Sequence, residues 1–444
     1  MRKTALSLLL CMALLVGCSE HTAPSDTAVT TTSPTQSKED VKEDLFTFLR
    51  KSNDASLSWI TRPFLDFLEQ EFGESTVSAL YETMKQGTFT AETWHELTGN
   101  TAVVLQDMYS GALDPEHPNY RSDITVLRSK DDETTIRVVG DISFADNWHI
   151  APKIGQNGVL DVMSEETLEL LKSADILLVN NEFTYSTRGK PLNKAYTFRA
   201  HPDNVQYMLD IGADVVSLAN NHAYDYGADA FEDTLNTLAG VQLPYIGAGR
   251  NKEEAAKPHY FIVNGRKYAF SAATRAEKTI RTPEAGENSS GVMRTYDATQ
   301  YLETIKSAEQ ECDYNIVYVH WGAEGSHQIE DGLYEMGCQY IDAGADIVIG
   351  AHAHVLQGIQ FYNNVPIVYN LGNFLFNAYN IDTGVLEITI SDVGIPSYRF
   401  VPAKQRYSSV KLVHDTEKQR ILTLMDELSI GVQFDDDGYF KEAM

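Results

Sequence analysis

Short apolar runs separated by amphipathic segments are the feature that most constrains the fold of this chain. From about Thr134 onward the runs are TIRVVGD, ADILLVNNE, ADVVSLANNH, KYAFSAAT, NIVYVHWG, ADIVIGAHAH and PIVYNLGNF. Stretches with helical periodicity, such as SEETLELLKSA and ADAFEDTLNTLAG, lie between several of them. Near-continuous apolar strands joined by helices are typical of a sheet that is covered on both faces. The sequence therefore predicts an α/β domain.

Polar residues terminate most of these runs. In chain order they are Asp141, Glu182, Asn221 with His222, His320, His352 with His354, and Asn370 with Asn373. Taken singly, such a residue is commonly a turn residue, a helix cap or a hydrogen-bonded core side chain. Ligands of open α/β sheets, however, bind beyond the carboxyl ends of the strands. Carboxylates and imidazoles gathered there are costly unless cations hold them, so the pattern predicts a metal site.

The mixture of ligand types indicates the metals and the reaction. Carboxylate, imidazole and amide oxygen without cysteine suit Mn, Fe or Zn, and also Mg, rather than a thiolate site. Two divalent ions about 3.5–4 Å apart support in-line attack at phosphorus, and His222 fits a histidine that protonates the leaving oxygen. We also expect His352 and His354 to project to the same side, because residues two apart on an extended chain do so.

The first 18 residues have the pattern of a bacterial lipoprotein signal peptide. Arg2 and Lys3 precede the apolar stretch TALSLLLCMALLV, and LVGC ends in Cys18, the predicted lipidation site. An ordinary secretory signal with an incidental cysteine is the alternative. Residues 19–43 are rich in Thr, Ser, Pro and acidic residues and are predicted to be a disordered spacer. We therefore expect a lipid-anchored, extracytoplasmic protein of the bacterial cell envelope.

The rest of the chain divides into three predicted regions. Residues 44–130 form a helical N-terminal region, residues 134–405 the main domain and residues 406–444 a helical C-terminal tail. The formal net charge of -28 argues against nucleic acid as a partner. Cys312 and Cys338 either pair in an oxidising compartment or remain free thiols.

The order of motifs resembles that of a known family. The segments VVGDISF, NNEFTYSTRG, NNHAYDYG, HWGAEG, GAHAHVLQG and YNLGNFLF are similar to those of the CapA family of poly-γ-glutamate capsule-synthesis proteins, from about Thr134 to Ala403. That family belongs to the calcineurin-like metallophosphatase superfamily. The resemblance implies two mixed β-sheets flanked by helices, with a dinuclear metal site at the strand ends.

The resemblance also implies a role for each candidate residue. The metal ligands would be Asp141 and His354 for the first ion, Glu182 as the bridging carboxylate, and Asn221, His320 and His352 for the second ion. His222 would be the acid or the stabiliser of the leaving group, and Asp225 would either orient His222 or fix the turn with Gly227. Arg199 and Arg188 would contact an anionic substrate. Ser143 stands where many superfamily members have a histidine, which predicts a more weakly held first ion.

Two functions follow from the resemblance. The first is a lipid-anchored, metal-dependent phosphoesterase-type hydrolase that serves cell-surface poly-γ-glutamate synthesis or export. The second is an accessory protein that keeps the fold but supports a membrane polymer synthase or export complex without catalysis. The substitution at Ser143 favours the second function, and the otherwise intact ligand set favours the first.

Overall fold

The structure is a computed structural model in which residues 38–51, 59–129, 131–277 and 282–443 are described. The chain forms two compact units, residues 1–62 and 63–444. The predicted signal peptide, Cys18 and the spacer up to residue 37 lie outside the described residues. Helix α1 (Lys38–Lys51) lies in the first unit. Residues 38–43 are therefore helical, although the sequence predicts that they belong to the disordered spacer. The Lys, Glu and Leu residues of α1 are strong helix formers, which explains the difference.

The remaining elements alternate between short helices and strands, as the sequence pattern predicts. The helices are α2 (Arg62–Phe72), α3 (Glu74–Gln86), α4 (Thr93–Thr98), α5 (Ala102–Ser110), α6 (Glu165–Lys172), α7 (Val205–Asp210), α8 (Ala228–Gly240), α9 (Lys252–Ala256), α10 (Thr299–Glu309), α11 (Leu333–Asp342) and α12 (Asp415–Leu428). The strands are β1 (Ile124–Val126), β2 (Thr134–Ile142), β3 (Ile176–Asn181), β4 (Thr184–Tyr185), β5 (Arg199–Ala200), β6 (Val215–Ser217), β7 (Tyr245–Ile246), β8 (Ala248–Gly249), β9 (His259–Val263), β10 (Arg266–Thr274), β11 (Gly291–Val292), β12 (Tyr314–His320), β13 (Ile347–Ala351), β14 (Leu356–Tyr362), β15 (Val365–Leu371), β16 (Asn373–Leu375), β17 (Ile381–Ile390), β18 (Pro396–Arg406), β19 (Ser409–Leu412), β20 (Val432–Phe434) and β21 (Phe440–Glu442).

Two mixed sheets form the centre of the second unit. The first has seven strands in the order β1-β9-β10-β12-β13-β15-β14. The second has eight, in the order β19-β18-β17-β2-β3-β6-β7 with β16 added beside β2. Strands β10, β12 and β13 run parallel in the first sheet, and β2, β3 and β6 run parallel in the second. The predicted architecture of two mixed sheets with flanking helices is confirmed.

The side chains of these strands divide between an inner and an outer layer. Ile136 and Ile316 belong to one buried cluster that contains residues of both sheets, so the two sheets pack face to face. Leu177 of β3 instead joins a cluster with residues of α6, α7 and α8. Val317 of β12 joins a third cluster with residues of α10 and α11. Alternation along each strand thus buries both faces of each sheet.

The regions predicted to flank the main domain contribute to the same sheets and core. Strand β1, within the predicted helical region 44–130, pairs with β9. Strand β19 of the predicted tail extends the second sheet, and Ile421 and Met425 of α12 lie in the core between the sheets. The prediction of a separate 406–444 helical tail is therefore wrong, because α12 presents an apolar face that packs between the sheets. Within the described residues, no helix is both long and apolar enough to cross a bilayer.

Candidate metal centre

The candidate ligands meet where the parallel strands of both sheets end. Asp141 lies near the end of β2, and Glu182 follows β3 directly. His320 is the last residue of β12, and His352 follows β13. The carboxyl ends of parallel strands lie at one edge of a sheet. Here β2 and β3 of one sheet and β12 and β13 of the other end at the same side of the sandwich. The structure therefore brings together residues that are far apart in the chain.

A β-bulge determines the direction of Asp141. Val138 pairs with Leu178 but Asp141 pairs with Asn180, so β2 advances by one residue more than β3. The extra residue reverses the alternation of the strand. Gly140 lies in the bulge, and a Cβ there would collide with the backbone oxygen of Gly372. Only glycine fits this close approach.

His352 and His354 do not continue the strand as extended residues. Strand β13 ends at Ala351, and His352 and His354 have φ angles of 95° and 59°. The prediction of an extended His352–His354 pair is therefore wrong. The left-handed backbone nevertheless turns both rings toward the ligand cluster, with ring centroids 6.0 Å apart. Such torsions are uncommon for residues with a side chain, and histidine is among the residue types that adopt them more often.

Glu182 lies at the centre of the cluster with one oxygen unsatisfied. Its Oε1 is buried and has no hydrogen-bond partner. Three imidazole Nε2 atoms surround it, from His320 at 3.7 Å, His354 at 3.9 Å and His222 at 4.0 Å. These distances are too long for hydrogen bonds. They are close enough for two ligands that each lie about 2.0–2.2 Å from one shared ion.

The donor atoms form two groups that share Glu182. Within each group the ligand atoms lie within 4.8 Å of one another; the groups are Glu182, His320 and His352, and Asp141, Glu182 and His354. A third group without Glu182 joins the exposed Glu324 to His352 and His354. Asn221 Oδ1 lies 2.8 Å from His320 Nε2, so the amide faces the first of these groups. His352 Nδ1 is also buried without a hydrogen-bond partner, and Asp141 Oδ2 is paired only with His354 Nδ1, at 3.0 Å. Unsatisfied donor atoms of these types fit divalent cations.

Burial and mutual contact shift the pKa values of the cluster. Burial, and then Asp141, raise the pKa of Glu182 well above its usual value. Burial, and then His354, lower the pKa of His352 to about 3. Burial, and then His352, hold the pKa of His320 well below its usual value. Neutral imidazoles are the metal-binding form, and a cation would favour the ionised form of Glu182.

A family model covers this centre and most of the domain. The model described as "Bacterial capsule synthesis protein PGA_cap" matches residues 135–378, from β2 to just past β16. The chain belongs to this family. All six candidate ligands of the PGA_cap domain lie within the matched residues.

Curated relatives support the assignment to the PGA_cap family. "PGA biosynthesis protein CapA" of Bacillus subtilis (strain 168) is 31% identical over 299 residues, which is 63% of this chain and 76% of that protein. "Capsule biosynthesis protein CapA" of Bacillus anthracis is 27% identical over 305 residues, 67% of this chain and 74% of that protein. A "Probable polyglutamine synthesis accessory protein" of Mycobacterium tuberculosis (strain CDC 1551 / Oshkosh) is 25% identical over 287 residues, 60% of this chain and 75% of that protein.

Solved structures show only distant likeness. The NAD nucleotidase of Haemophilus influenzae aligns with a TM-score of 0.36 and 14% identity, covering 69% of this chain and 64% of that chain. The 5'-nucleotidase of Candida albicans SC5314 aligns with a TM-score of 0.35 and 13% identity, covering 60% of this chain and 51% of that chain. At these scores the likenesses carry no inference about the activity of this PGA_cap protein.

The histidine predicted to act as an acid lies at the edge of the PGA_cap centre. His222 Nδ1 is 2.7 Å from Asp225 Oδ2, so the carboxylate accepts the Nδ1 proton and leaves Nε2 facing Glu182. Asp225 Oδ2 also accepts the backbone N–H of Phe198 at 2.8 Å. Of the two predicted roles of Asp225, the geometry matches orientation of His222. On its other side, Asp225 Oδ1 lies 3.1 Å from Lys194 Nζ.

The two predicted anion-contacting arginines are engaged elsewhere. Arg188 forms an ion pair with Asp233 at 2.5 Å, and its side chain is half exposed. The Arg199 guanidinium lies 4.3 Å from the ring centroid of Tyr226 and donates to the backbone oxygen of Arg188. The structure therefore does not bring either arginine to the ligand cluster. Arg188 forms ion pairs with acidic residues of α8, and its position in the sequence does not predict these partners.

Several outer residues of the centre were not predicted. Asn180 donates to Asp141 Oδ1 at 2.8 Å and to Glu182 Oε2 at 3.2 Å. Asn373 Oδ1 lies 2.8 Å from His354 Nδ1. The Asn-Asn pairs at these strand ends resemble turn signals, so their sequence gives only a weak indication of a site. Partners of this kind orient metal ligands. Cys312 and Cys338 are both free.

Proposed function

We propose that this chain is a metal-dependent phosphoesterase-type hydrolase. The observation that carries the proposal is Glu182 Oε1, a buried carboxylate oxygen without a hydrogen bond among three imidazole Nε2 atoms. When bound, divalent ions such as Mn, Fe or Zn supply Lewis acidity toward a phosphoryl oxygen and lower the pKa of water. Which metal ion occupies such a site depends on the metals available in the cell as well as on the types of ligand.

The residues of the chain divide this work. Asp141, Glu182 and His354 would hold one ion, while Glu182, Asn221, His320 and His352 would hold the other. His222 presents Nε2 at the edge of the cluster, where it holds a proton for the leaving oxygen. Asp225 accepts a hydrogen bond from Nδ1–H, which orients the ring and would stabilise the imidazolium form that carries a second proton on Nε2.

We place this activity in cell-surface poly-γ-glutamate capsule synthesis or export. Membership of the PGA_cap family and the CapA relatives support this role. The signal-like N-terminus and Cys18 support a lipid anchor in the bacterial cell envelope, with the domain on the extracytoplasmic side. A membrane polymer synthase or export complex is the expected partner, and nucleic acid is not.

The activity can be tested directly. The protein is stripped of metal, reloaded with Mn²⁺ and assayed with p-nitrophenyl phosphate and bis(p-nitrophenyl) phosphate. We expect hydrolysis of at least one ester by the wild type, and its loss in His352→Ala. His327→Ala is the matched control, because His327 Nδ1 contacts the backbone oxygen of Leu356 and His327 is in neither ligand group. Equal activity of His352→Ala and wild type would exclude catalysis at this centre.

A second candidate is an accessory protein without catalysis. Ser143 is fully buried with an unsatisfied Oγ, at the position where many members of the wider metallophosphatase superfamily have a histidine. The M. tuberculosis relative is itself described as an accessory protein. Genetic complementation separates the two candidates: a His352→Ala variant that still restores polymer export favours the accessory role. Export that depends on His352 but not on His327 favours the hydrolase.

A further inference from the structure

Lys194 is a nearly buried cation beside the candidate metal centre. Its side chain is 5% exposed. The Nζ atom lies 3.1 Å from Asp225 Oδ1 and 3.0 Å from Glu277 Oε1, and it donates to the backbone oxygen of Asn221 at 2.6 Å. The contact with Asn221 is a hydrogen bond, and the contacts with the two carboxylates are ion pairs. Desolvating an ammonium is costly, so three partners at this depth indicate a fixed position.

We propose that Lys194 is a positioning residue for leaving-group protonation by His222, an inference that rests on the proposed phosphoesterase activity. The two oxygens of Asp225 have different partners: Oδ2 faces His222 Nδ1, and Oδ1 faces Lys194. Because Lys194 anchors Oδ1, the carboxylate cannot rotate away from the imidazole. The direction of His222 Nε2 toward the cluster is fixed as a result.

The same ammonium also fixes the neighbouring ligand. The backbone oxygen of Asn221 accepts from Lys194 Nζ and from Thr282 Oγ1 at 2.7 Å. The side chain of Asn221 then places Oδ1 2.8 Å from His320 Nε2. Lys194 thus holds the acid and the adjacent metal ligand in one relative position, through one side-chain and one backbone contact.

A residue that only stabilises the fold would behave differently from a positioning residue. Its loss lowers the free energy of unfolding and affects all substrates alike. Loss of a residue that aims the acid affects most strongly the esters whose leaving group needs a proton. The dependence of the rate on the leaving group therefore separates the two roles.

The kinetic test compares two phosphomonoesters at saturating Mn²⁺ with the full chain. We expect Lys194→Met to lower kcat for phenyl phosphate, a poor leaving group, by about tenfold, with less than about threefold change for p-nitrophenyl phosphate. Lys267→Met is the matched control, because Lys267 is also a buried lysine paired with an aspartate: its side chain is 1% exposed and its Nζ lies 2.6 Å from Asp107. Lys267 lies at the amino end of β10, away from the ligand cluster. The control substitution should lower stability and leave the ratio of the two kcat values unchanged. Equal losses for both esters in Lys194→Met would overturn the proposal.

A double-mutant cycle tests whether Lys194 acts through His222. His222→Ala should lower kcat for phenyl phosphate by about 10²-fold or more. If Lys194 acts mainly through His222, then Lys194→Met lowers kcat for phenyl phosphate less in the His222→Ala background than in the wild type, and the remaining loss reports its contact with Asn221. Full additivity of the two losses would contradict the proposal.

One readout does not depend on activity. In the metal-free protein, the downfield Nδ1 proton of His222 is identified by NMR from its loss in His222→Ala. We expect this resonance to persist in Lys267→Met and to disappear or shift in Lys194→Met, even if the wild type cleaves no ester. An unchanged resonance in Lys194→Met would overturn the positioning role, whereas absence of wild-type hydrolysis would overturn only the proposed function.

Discussion

Acidic residues occur at both ends of the parallel strands, and the two ends satisfy them in opposite ways. At the amino ends, one aspartate directly precedes each of four strands; these are Asp175 before β3, Asp214 before β6, Asp313 before β12 and Asp346 before β13. Each carboxylate accepts a backbone N–H of the neighbouring parallel strand at 2.8 or 2.9 Å. Each backbone N–H of these aspartates donates to the carbonyl of that same neighbouring residue. These four aspartates therefore have their partners without any ligand.

The carboxyl ends leave polar atoms incomplete. Glu182 Oε1 and His352 Nδ1 are buried and lack hydrogen-bond partners, and Asp141 Oδ2 is paired only with His354 Nδ1. Such groups normally cost free energy, because they lose water without replacing it. The comparison teaches that one end of the sandwich serves the fold, whereas the other carries groups that need a cation.

The strongest test of this difference removes the shared carboxylate. Glu182→Gln keeps the shape of the side chain but removes the charge that both ligand groups use. We expect both ions to be lost on dialysis, with a fall in affinity that exceeds the roughly 10–100-fold cost of losing an outer-shell partner. Elemental analysis measures the change. Asp346→Asn makes the same chemical substitution at the amino end and should retain the metal; retention in Glu182→Gln would contradict the assignment.

Metal binding should stabilise the fold substantially. At a free Mn²⁺ concentration 100 times Kd, we expect the free energy of unfolding to rise by about 2.7 kcal/mol, since the ion binds only the folded cluster. Urea unfolding monitored by circular dichroism measures the shift, with NaCl of equal ionic strength as the control. An identical urea midpoint with and without Mn²⁺ would show that the carboxyl ends hold no ion.

The amino ends should affect stability but not the metal. Asp346→Ala removes the acceptor of the Asn315 backbone N–H, a hydrogen bond of 2.8 Å. We expect a loss of about 1–2 kcal/mol in the free energy of unfolding, because the buried donor is left unsatisfied. Asp346→Asn keeps an acceptor oxygen and should lose less. Release of metal from Asp346→Ala would show that the two ends are not independent.

A smaller effect concerns pH in the metal-free protein. Burial and Asp141 raise the pKa of Glu182 above its unfolded value, so the folded state binds the proton more tightly. Stability is therefore highest below the unfolded pKa of about 4.3 and decreases as the pH rises through the folded pKa. This one group contributes at most about 1.4 kcal/mol per pH unit. In Glu182→Gln, the free energy of unfolding from urea titrations should depend less on pH above about pH 4.3. An unchanged pH dependence in the variant would show that another group causes it.

The sequence predicts the ligand set better than the backbone that presents it. Asp141, Glu182, His320 and the two histidines after β13 meet as expected, because strand periodicity and the strand-end rule are both visible in the sequence. The bulge that turns Asp141 leaves a single sign in the sequence, Gly140 inside an apolar strand, which does not by itself fix where the extra residue lies. Simple alternation would have placed this carboxylate on the outer face.

Long-range partners are the other part that the sequence does not reveal. Lys194 lies in a loop with no periodicity, and its role depends on Asp225 and Glu277 from two other segments. Arg188 sits in a motif of the family but is drawn to Asp233 of α8. Side-chain pairs between distant segments follow from packing, and one sequence does not specify them.

The backbone of His352 and His354 has a consequence for any substitution at these two positions. A left-handed torsion costs a residue with a side chain about 1–2 kcal/mol, and glycine escapes that cost. Glycine at either position would therefore relieve backbone strain and at the same time remove an imidazole from the ligand cluster. Backbone stability and the ligand set thus make opposite demands on the two residues that follow β13.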